Sequence, residues 1–133
     1  MTTLFTVAEQ PWAAARNYGY RFIGIPTHAD TTHIRSDEQG QALAHTLGAH
    51  RACLLRAHGT VVVASTVAEL FMDCLELEEN ARSLYRAATL GALRPITPDE
   101  AEQLKASYGK QDARPAKIWE HYQQKARAAG TLT

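Results

Sequence analysis

The sequence predicts an α/β fold in which a strand–turn–strand unit lies between amphipathic helices. Two apolar runs rich in strand-forming residues, 52–55 and 60–63, are separated by a glycine-containing break and suit strands buried on both faces. Helix-start signals at Ser36 and Thr66 bracket this pair. The chain has 133 residues, of which 45% are hydrophobic, and this is ordinary for a single globular domain covering residues 1–133.

Residues 1–35 carry mixed signals. Residues 11–22 suit a short helix, and residues 23–25, just before Pro26, suit a short strand. Gly19 weakens any single assignment, because an isolated glycine lowers helix stability and also marks turns. The region therefore predicts short elements only.

The helices on either side of the strand pair have clear ends. Ser36 and Gln39 form a capping-box pattern, and Gly48 ends the first helix. Thr66 opens a second helix in the same way, and its apolar residues recur at alternating steps of four and three until Gly91. The spacing thus predicts a short amphipathic helix before the strands and a long one after them.

Two more helices are predicted toward the C-terminus. Thr97 supplies an N-cap and Pro98 the first helical residue of a helix that ends near Gly109. A last helix runs from Pro115 to about Ala129.

Charge and hydropathy exclude several classes of protein. Fourteen Lys and Arg residues balance fourteen Asp and Glu residues, so no net field attracts nucleic acid or an anionic membrane. No apolar run is long enough to span a bilayer, and the N-terminus lacks the pattern of a signal peptide, which predicts a cytoplasmic protein. Cys53 and Cys74 have apolar neighbours and no CxxC spacing, which predicts reduced, structural thiols.

Three segments stand in a distinctive order along the chain. They are Ile-Pro at 25–26, the run 53–63 with Arg-Ala-His-Gly-Thr at its centre, and Leu-Glu-Glu-Asn-Ala-Arg at 77–82. In this order and spacing they resemble the class II aldolase/adducin family, from about Phe5 to the C-terminus. The resemblance implies a three-layer α/β/α class II aldolase-like domain. By this resemblance we expect the chain to correspond to the C-terminal half of that fold, without its N-terminal strands.

The resemblance also implies a metal site to which His58 contributes. In the family three histidines hold a divalent metal, commonly zinc or manganese. Two of them come from a His-x-His motif and the third from a His-Gly turn, which His58 matches. The metal would stabilise the enediolate or enolate that forms when a carbon–carbon bond breaks. This sequence contains no His-x-His and no counterpart of the family's acid/base glutamate.

Other histidines could complete the ligand set. His28 and His33 lie in one predicted loop beside Asp30, and with His58 they would make a facial set that some metals accept. The alternative is that both are solvent-facing loop residues. His58 has an alternative too, since an imidazole at a turn can instead cap backbone groups.

The remaining histidines are expected to be surface or packing residues, whereas two aromatic residues have two possible roles. His45 and His50 flank a helix end and are expected at the surface, and His121 is expected to pack in the last helix. In several family members a C-terminal aromatic residue reaches a neighbouring subunit's active site. Trp119 or Tyr122 could take that part, with Tyr122 as a catalytic candidate. The alternative is a core stripe at helical spacing.

Two functions are therefore expected, and they belong to different classes. In the first, the chain contributes to a metal-dependent lyase, an aldolase or decarboxylase that acts on a small hydroxy-carbonyl or hydroxy-acid substrate. It would work as a homo-oligomer or with a separately encoded N-terminal partner chain. In the second, the chain is a non-catalytic fragment or an assembly or regulatory subunit of the adducin type. Only the first predicts bound metal that is lost in His58→Ala.

Overall fold

The structure, a computed structural model, describes residues 1–8, 11–108 and 112–132. Its helices and strands follow in this order: α1 (Leu4–Val7), a 3-10 helix (Asn17–Phe22), β1 (Thr27–His28), α2 (Asp37–Leu47), β2 (Ala52–Leu55), β3 (Gly59–Val62), α3 (Val67–Leu90), α4 (Pro98–Tyr108) and α5 (Arg114–Ala128). The mixture of helices with one sheet confirms the α/β class. Among the described residues, no helix is both long enough and apolar enough to cross a membrane.

β2 is the central strand of the sheet and lies between β1 and β3. It runs parallel to β1 and antiparallel to β3, with Leu54 opposite Thr60 across the hairpin. Ala52, Cys53 and Leu54 are buried, as expected for a strand that is covered on both faces. The strand predicted over 52–55 is confirmed.

Two other strand predictions need correction. The run 60–63 does contribute to β3, but every residue of β3 is only half-buried, because this strand lies at the edge of the described sheet. The strand predicted at residues 23–25 is wrong. β1 begins after Pro26, whose carbonyl oxygen accepts a hydrogen bond from Leu54 N at 2.9 Å. Pairing with β2, rather than the local sequence, sets where β1 begins.

The helix predicted over residues 11–22 is wrong for its first half. The Asn80 side chain explains why: its Oδ1 accepts a hydrogen bond from Ala15 N at 2.8 Å, and its Nδ2 donates to Ala13 O at 2.9 Å. These two backbone groups are therefore paired with a side chain and not with a helical turn. Only Asn17–Phe22 forms a helix, of the 3-10 type.

The helix starts agree with the capping patterns. Ser36 Oγ accepts a hydrogen bond from Gln39 N at 3.3 Å, and Gln39 Oε1 accepts one from Ser36 N at 3.2 Å. Thr66 Oγ1 accepts from Glu69 N at 3.1 Å, but the Glu69 side chain accepts from Ser65 N at 3.3 Å and not from Thr66 N, so only the N-cap half of the predicted second capping box is formed. α4 begins at Pro98 as predicted, and its predicted end at Gly109 lies outside the described residues.

Helices cover both faces of the sheet. Leu54 packs with Leu77 of α3 and with Phe22 in the main core cluster. Successive side chains of a strand point to opposite faces. On the other face His28 of β1 contacts Thr46 of α2, with His28 Nδ1 3.0 Å from Thr46 Oγ1. α3, the sheet and α2 therefore form the three expected layers.

An ion-pair network joins the 3-10 helix, the start of β2 and α3. Asp73 is fully buried and accepts hydrogen bonds from Arg21 Nε at 2.7 Å and Arg51 Nη1 at 2.8 Å. Both arginines also bind Glu69. Burial alone would raise the pKa of Glu69, but the hydrogen bonds from the arginines outweigh burial and hold this pKa below its ordinary value. The network connects three separate segments of the chain.

Candidate functional site

His58 lies on the tight turn that connects β2 to β3. Its backbone N–H donates to Leu55 O at 3.0 Å, which closes the turn. Ala57, the preceding residue, has a φ of 56° and so occupies the left-handed region, at a cost of about 1–2 kcal/mol for a residue other than glycine. The N–H of Ala57 donates to Thr6 Oγ1 at 2.9 Å. A strained and tethered turn thus presents the exposed His58 imidazole at one end of the sheet.

His33 lies in the loop between β1 and α2, and hydrogen bonds fix this loop near that residue. Asp30 Oδ1 accepts from both the N–H and the hydroxyl of Thr32 at 2.8 Å. These bonds lower the pKa of Asp30. Gln39 then ties the loop to α2, because its Nε2 donates to Thr32 Oγ1 at 3.1 Å and its Oε1 accepts from Arg35 N at 2.7 Å.

The two segments bring His33 and His58 together. Their ring centroids are 5.4 Å apart and their ring planes meet at 83°. Both side chains are exposed to solvent. This pair joins the β2–β3 turn to the β1–α2 loop at one end of the sheet.

His28 does not join this pair. The expectation that both loop histidines face solvent is wrong for His28, which is 9% exposed. β1 pairs with β2 and places the His28 side chain under α2, where its Nδ1 lies 3.0 Å from Thr46 Oγ1. A facial set of His28, His33 and His58 is therefore not formed in this structure.

Imidazole nitrogens are suitable metal ligands, but two of them are too few for a catalytic metal site. Neutral imidazole nitrogen is a common zinc ligand, yet catalytic zinc sites use three protein ligands. Among the residues that the structure describes, no group of three or more His, Cys, Asp or Glu side chains is placed to hold a metal ion. His33 and His58 are therefore two imidazoles in contact, one fewer than the protein ligands of a catalytic zinc site.

The other histidines lie away from the turn. His45 on α2 and His50 before β2 are exposed, as expected for surface residues. His121 on α5 contacts the Tyr122 ring edge-on, with centroids 5.4 Å apart, and remains exposed. The β2–β3 turn and the β1–α2 loop are the segments that bring two histidines into contact.

Trp119 and Tyr122 attach α5 to α3. Both rings meet Phe71 edge-on, with centroid distances of 5.3 Å for Trp119 and 5.0 Å for Tyr122. Tyr122 keeps 40% of its surface exposed. Within one chain these aromatic residues pack the two helices together. A catalytic role of Tyr122 in the active site of a neighbouring subunit remains a prediction.

Both cysteines are free thiols, as expected. Cys53 is buried in β2, and burial raises the pKa of its thiol, which suits an inert structural residue. The apolar setting predicted for Cys74 is wrong, because this residue is exposed on α3.

A cleft of about 530 Å³ lies beside the ion-pair network, at the start of β2. Tyr20, Arg21, Arg51 and Lys105 are among the residues that line it. This cleft was not predicted from the sequence, because its walls come from three separate segments: the 3-10 helix, the residues just before β2, and α4. His58 is on the turn that follows β2, so the cleft and the histidine pair lie at opposite ends of this strand.

Comparisons with known proteins find a family model and solved structures that are similar to this chain. The family model described as Class II Aldolase and Adducin N-terminal domain matches residues 1–85. The solved structure of L-fuculose 1-phosphate aldolase from Glaciozyma antarctica PI12 is similar with a TM-score of 0.69 and 20% sequence identity. The similarity covers 93% of this chain and 49% of that chain, so the present chain spans about half the length of the aldolase. No curated protein matches.

Proposed function

Since the chain belongs to the class II aldolase and adducin family, we propose that it contributes His58 as a metal ligand to a carbon–carbon lyase. The family match and the aldolase-like fold support an aldolase-type activity. The observation that carries the proposal is the position of His58, exposed on a strained turn whose backbone is tied to Thr6. Strain of this kind concentrates at functional sites.

His58 would hold a divalent metal, zinc or manganese, through one neutral ring nitrogen. The metal, when bound, supplies Lewis-acid stabilisation of the negative charge that develops on the oxygen of a hydroxy-carbonyl or hydroxy-acid substrate. The role of this chain is to hold the His58 imidazole in position. The hydrogen bonds of Ala57 N to Thr6 and of His58 N to Leu55 restrict the turn, so that little freedom is lost when the ring takes up its ligand.

Other groups must complete this site, and a partner chain can supply them. Two histidines are fewer than the three protein ligands of a catalytic zinc site. The candidate sources are a second copy in a homo-oligomer and a separately encoded N-terminal partner chain. The general acid/base would come from the same source. The setting we propose is cytoplasmic, where the free thiols of Cys53 and Cys74 stay reduced.

A specific observation favours a second candidate function, that of an assembly subunit. β3 contains no charged residue and no proline, although such residues commonly protect the edge of a sheet. Val63 N donates to Arg51 O at 2.8 Å, and bonded pairs alternate along an antiparallel ladder. The backbone groups of Thr60 and Val62 therefore point away from β2, where another strand could pair with them.

Activity measurements separate these candidates. The native chain is assayed for aldol cleavage and decarboxylation on panels of hydroxy-carbonyl and hydroxy-acid compounds, with zinc, with manganese and with a chelator. The lyase proposal predicts turnover that the chelator abolishes and that falls at least about 100-fold in His58→Ala, with His45→Ala unchanged. Absence of turnover in every mixture, together with a metal content that is the same in the wild type and in His58→Ala, would favour the assembly subunit, because only the lyase proposal makes His58 a ligand.

A further inference from the structure

The cleft of about 530 Å³ at the start of β2 has walls that carry mainly hydrogen-bond donors. Arg21, Arg51 and Lys105 line it with three cationic side chains, which come from three separate segments of the chain. Glu102 is the one carboxylate among the described residues of its wall. We propose that this cleft binds a small ligand through a phosphate group. The inference does not depend on the proposed role of His58.

Two carboxylates hold the arginines without lining the cleft. Asp73 is fully buried, and it accepts from Arg21 Nε at 2.7 Å and from Arg51 Nη1 at 2.8 Å. Glu69 accepts from Nη2 of both arginines, at 3.0 and 2.6 Å. Neither acid is part of the cleft wall, so a ligand in the cleft meets the guanidinium groups first. Because the attraction between charges falls with distance, the near cations outweigh the farther anions for an oxyanion bound there.

The arginines keep donors outside this network. A guanidinium group has five N–H donors. In the described part of the chain, the network uses three hydrogen bonds from Arg21 and two from Arg51. This leaves two N–H groups of Arg21 and three of Arg51. Both guanidinium groups are already oriented by the carboxylates, and this preorganisation lowers the entropic cost of binding a ligand.

α4 brings a lysine to the same cleft. Four of its residues line the wall and share one helical face, because positions three and four apart are neighbours on a helix; they are Pro98, Ala101, Glu102 and Lys105. Lys105 Nζ lies 3.7 Å from Glu102 Oε1, with 67% and 76% of these side chains exposed. An exposed pair of this kind contributes little to stability. Lys105 can therefore turn from Glu102 to a ligand at small cost.

The placement of the cations favours a phosphate over a carboxylate. Arginine binds both groups through parallel N–H donors. A carboxylate offers two oxygens in one plane, whereas a phosphate ester carries a charge of about −1.5 to −2 and three acceptor oxygens. Here the donors come from the 3-10 helix, from the residue before β2 and from α4. A tetrahedral group can contact all three segments at once.

Titration of the full-length chain with inorganic phosphate, followed by two-dimensional NMR, tests the proposal. A chelator removes metals that would bind phosphate, and sodium chloride keeps the ionic strength constant. We expect saturable shifts of the arginine side-chain resonances. Ala49→Glu adds a negative charge to the cleft wall without removing any group of the network, so affinity should fall at least about tenfold. Lys105→Ala should lower the affinity about two- to fivefold.

Three control variants should bind phosphate as the wild type does. Ala44→Glu makes the same change at an exposed position of α2, and Lys117→Ala removes an exposed lysine from α5. His58→Ala keeps the whole cleft and removes the proposed metal ligand. Circular dichroism verifies that each variant is folded.

Each outcome bears on the cleft independently of the proposed lyase activity. Absence of saturable shifts, or equal affinity in the wild type and in Ala49→Glu, would overturn the site. Acetate that binds as tightly as phosphate would overturn the choice of phosphate. Loss of phosphate binding in His58→Ala would show that the anion binds elsewhere and would also overturn the proposal. Phosphate bound in the cleft of a chain without lyase turnover would support this inference and count against the proposed function.

Discussion

Asn80 offers the sharpest test of how this fold is held together. Its side chain is fully buried and satisfies Ala15 N and Ala13 O at 2.8 and 2.9 Å. Asn80→Ala leaves both backbone groups without a partner, at about 1–3 kcal/mol for each. Both alanines are half-buried, so water reaches them in part and the lower half of that range applies. We therefore expect a loss of about 3 kcal/mol in the free energy of unfolding.

Urea denaturation followed by circular dichroism measures this loss as a lower midpoint at constant slope. Glu79→Ala is the matched control, since the neighbouring Glu79 side chain is 50% exposed and, among the described residues, forms an ion pair with Arg16 alone, at 3.7 Å. Its effect should stay within about 0.5 kcal/mol. A loss below about 1 kcal/mol in Asn80→Ala would mean that the Asn80 side chain does not hold this segment, because water would then be replacing both hydrogen bonds.

A double-mutant cycle with Gly19 tests the same contact from the other side. A Cβ atom on Gly19 would lie 2.4 Å from Asn80 Oδ1, so Gly19→Ala should cost about 1–3 kcal/mol by displacing that oxygen. Truncation of Asn80 removes the clash. The double variant should therefore be at least about 1 kcal/mol more stable than the sum of the single effects predicts. Additive losses would contradict the contact.

Three further predictions concern the ion network, the sheet edge and the turn. Glu69 has a lowered pKa in the folded state, so its contribution to stability is present above its ordinary value of 4.5 and is lost as pH falls through the folded value. In Glu69→Gln this pH-dependent contribution is absent, so the free energy of unfolding should fall less on acidification than it does in the wild type. Val62→Lys should weaken association in sedimentation experiments, whereas Val67→Lys, at an exposed helix position, should not. Ala57→Gly should raise the unfolding midpoint in urea or leave it unchanged, with a gain of at most about 1 kcal/mol, because glycine tolerates the left-handed conformation.

Local interactions made the long elements of this fold predictable. The hydrogen bonds that begin α2 and α3 join residues three positions apart, so Ser36 with Gln39 and Thr66 with its first turn are visible in the sequence. The apolar run of β2 is likewise continuous because both of its faces are covered. In each case the information needed lies within a few residues.

Long-range contacts account for the errors. The backbone at Ala13 and Ala15 is shaped by Asn80, and the position of β1 is set by its pairing with β2. The periodicity of the sequence identifies neither Asn80 nor β2 as the partner of these segments. His28 and His33 looked equivalent in the sequence. In the structure His28 lies in β1 under α2, whereas His33 lies in the following loop beside His58. The family resemblance identified His58, and tertiary structure was needed to identify its neighbour.

Metal content shows directly whether His58 is a metal ligand in this chain. The native chain, His58→Ala and His45→Ala are purified without chelator and without added metal, and their metals are measured by elemental analysis. If His58 is a ligand, we expect near-stoichiometric divalent metal in the native chain and in His45→Ala, and its loss in His58→Ala. Metal absent from all three proteins, or present equally in all three, would contradict it.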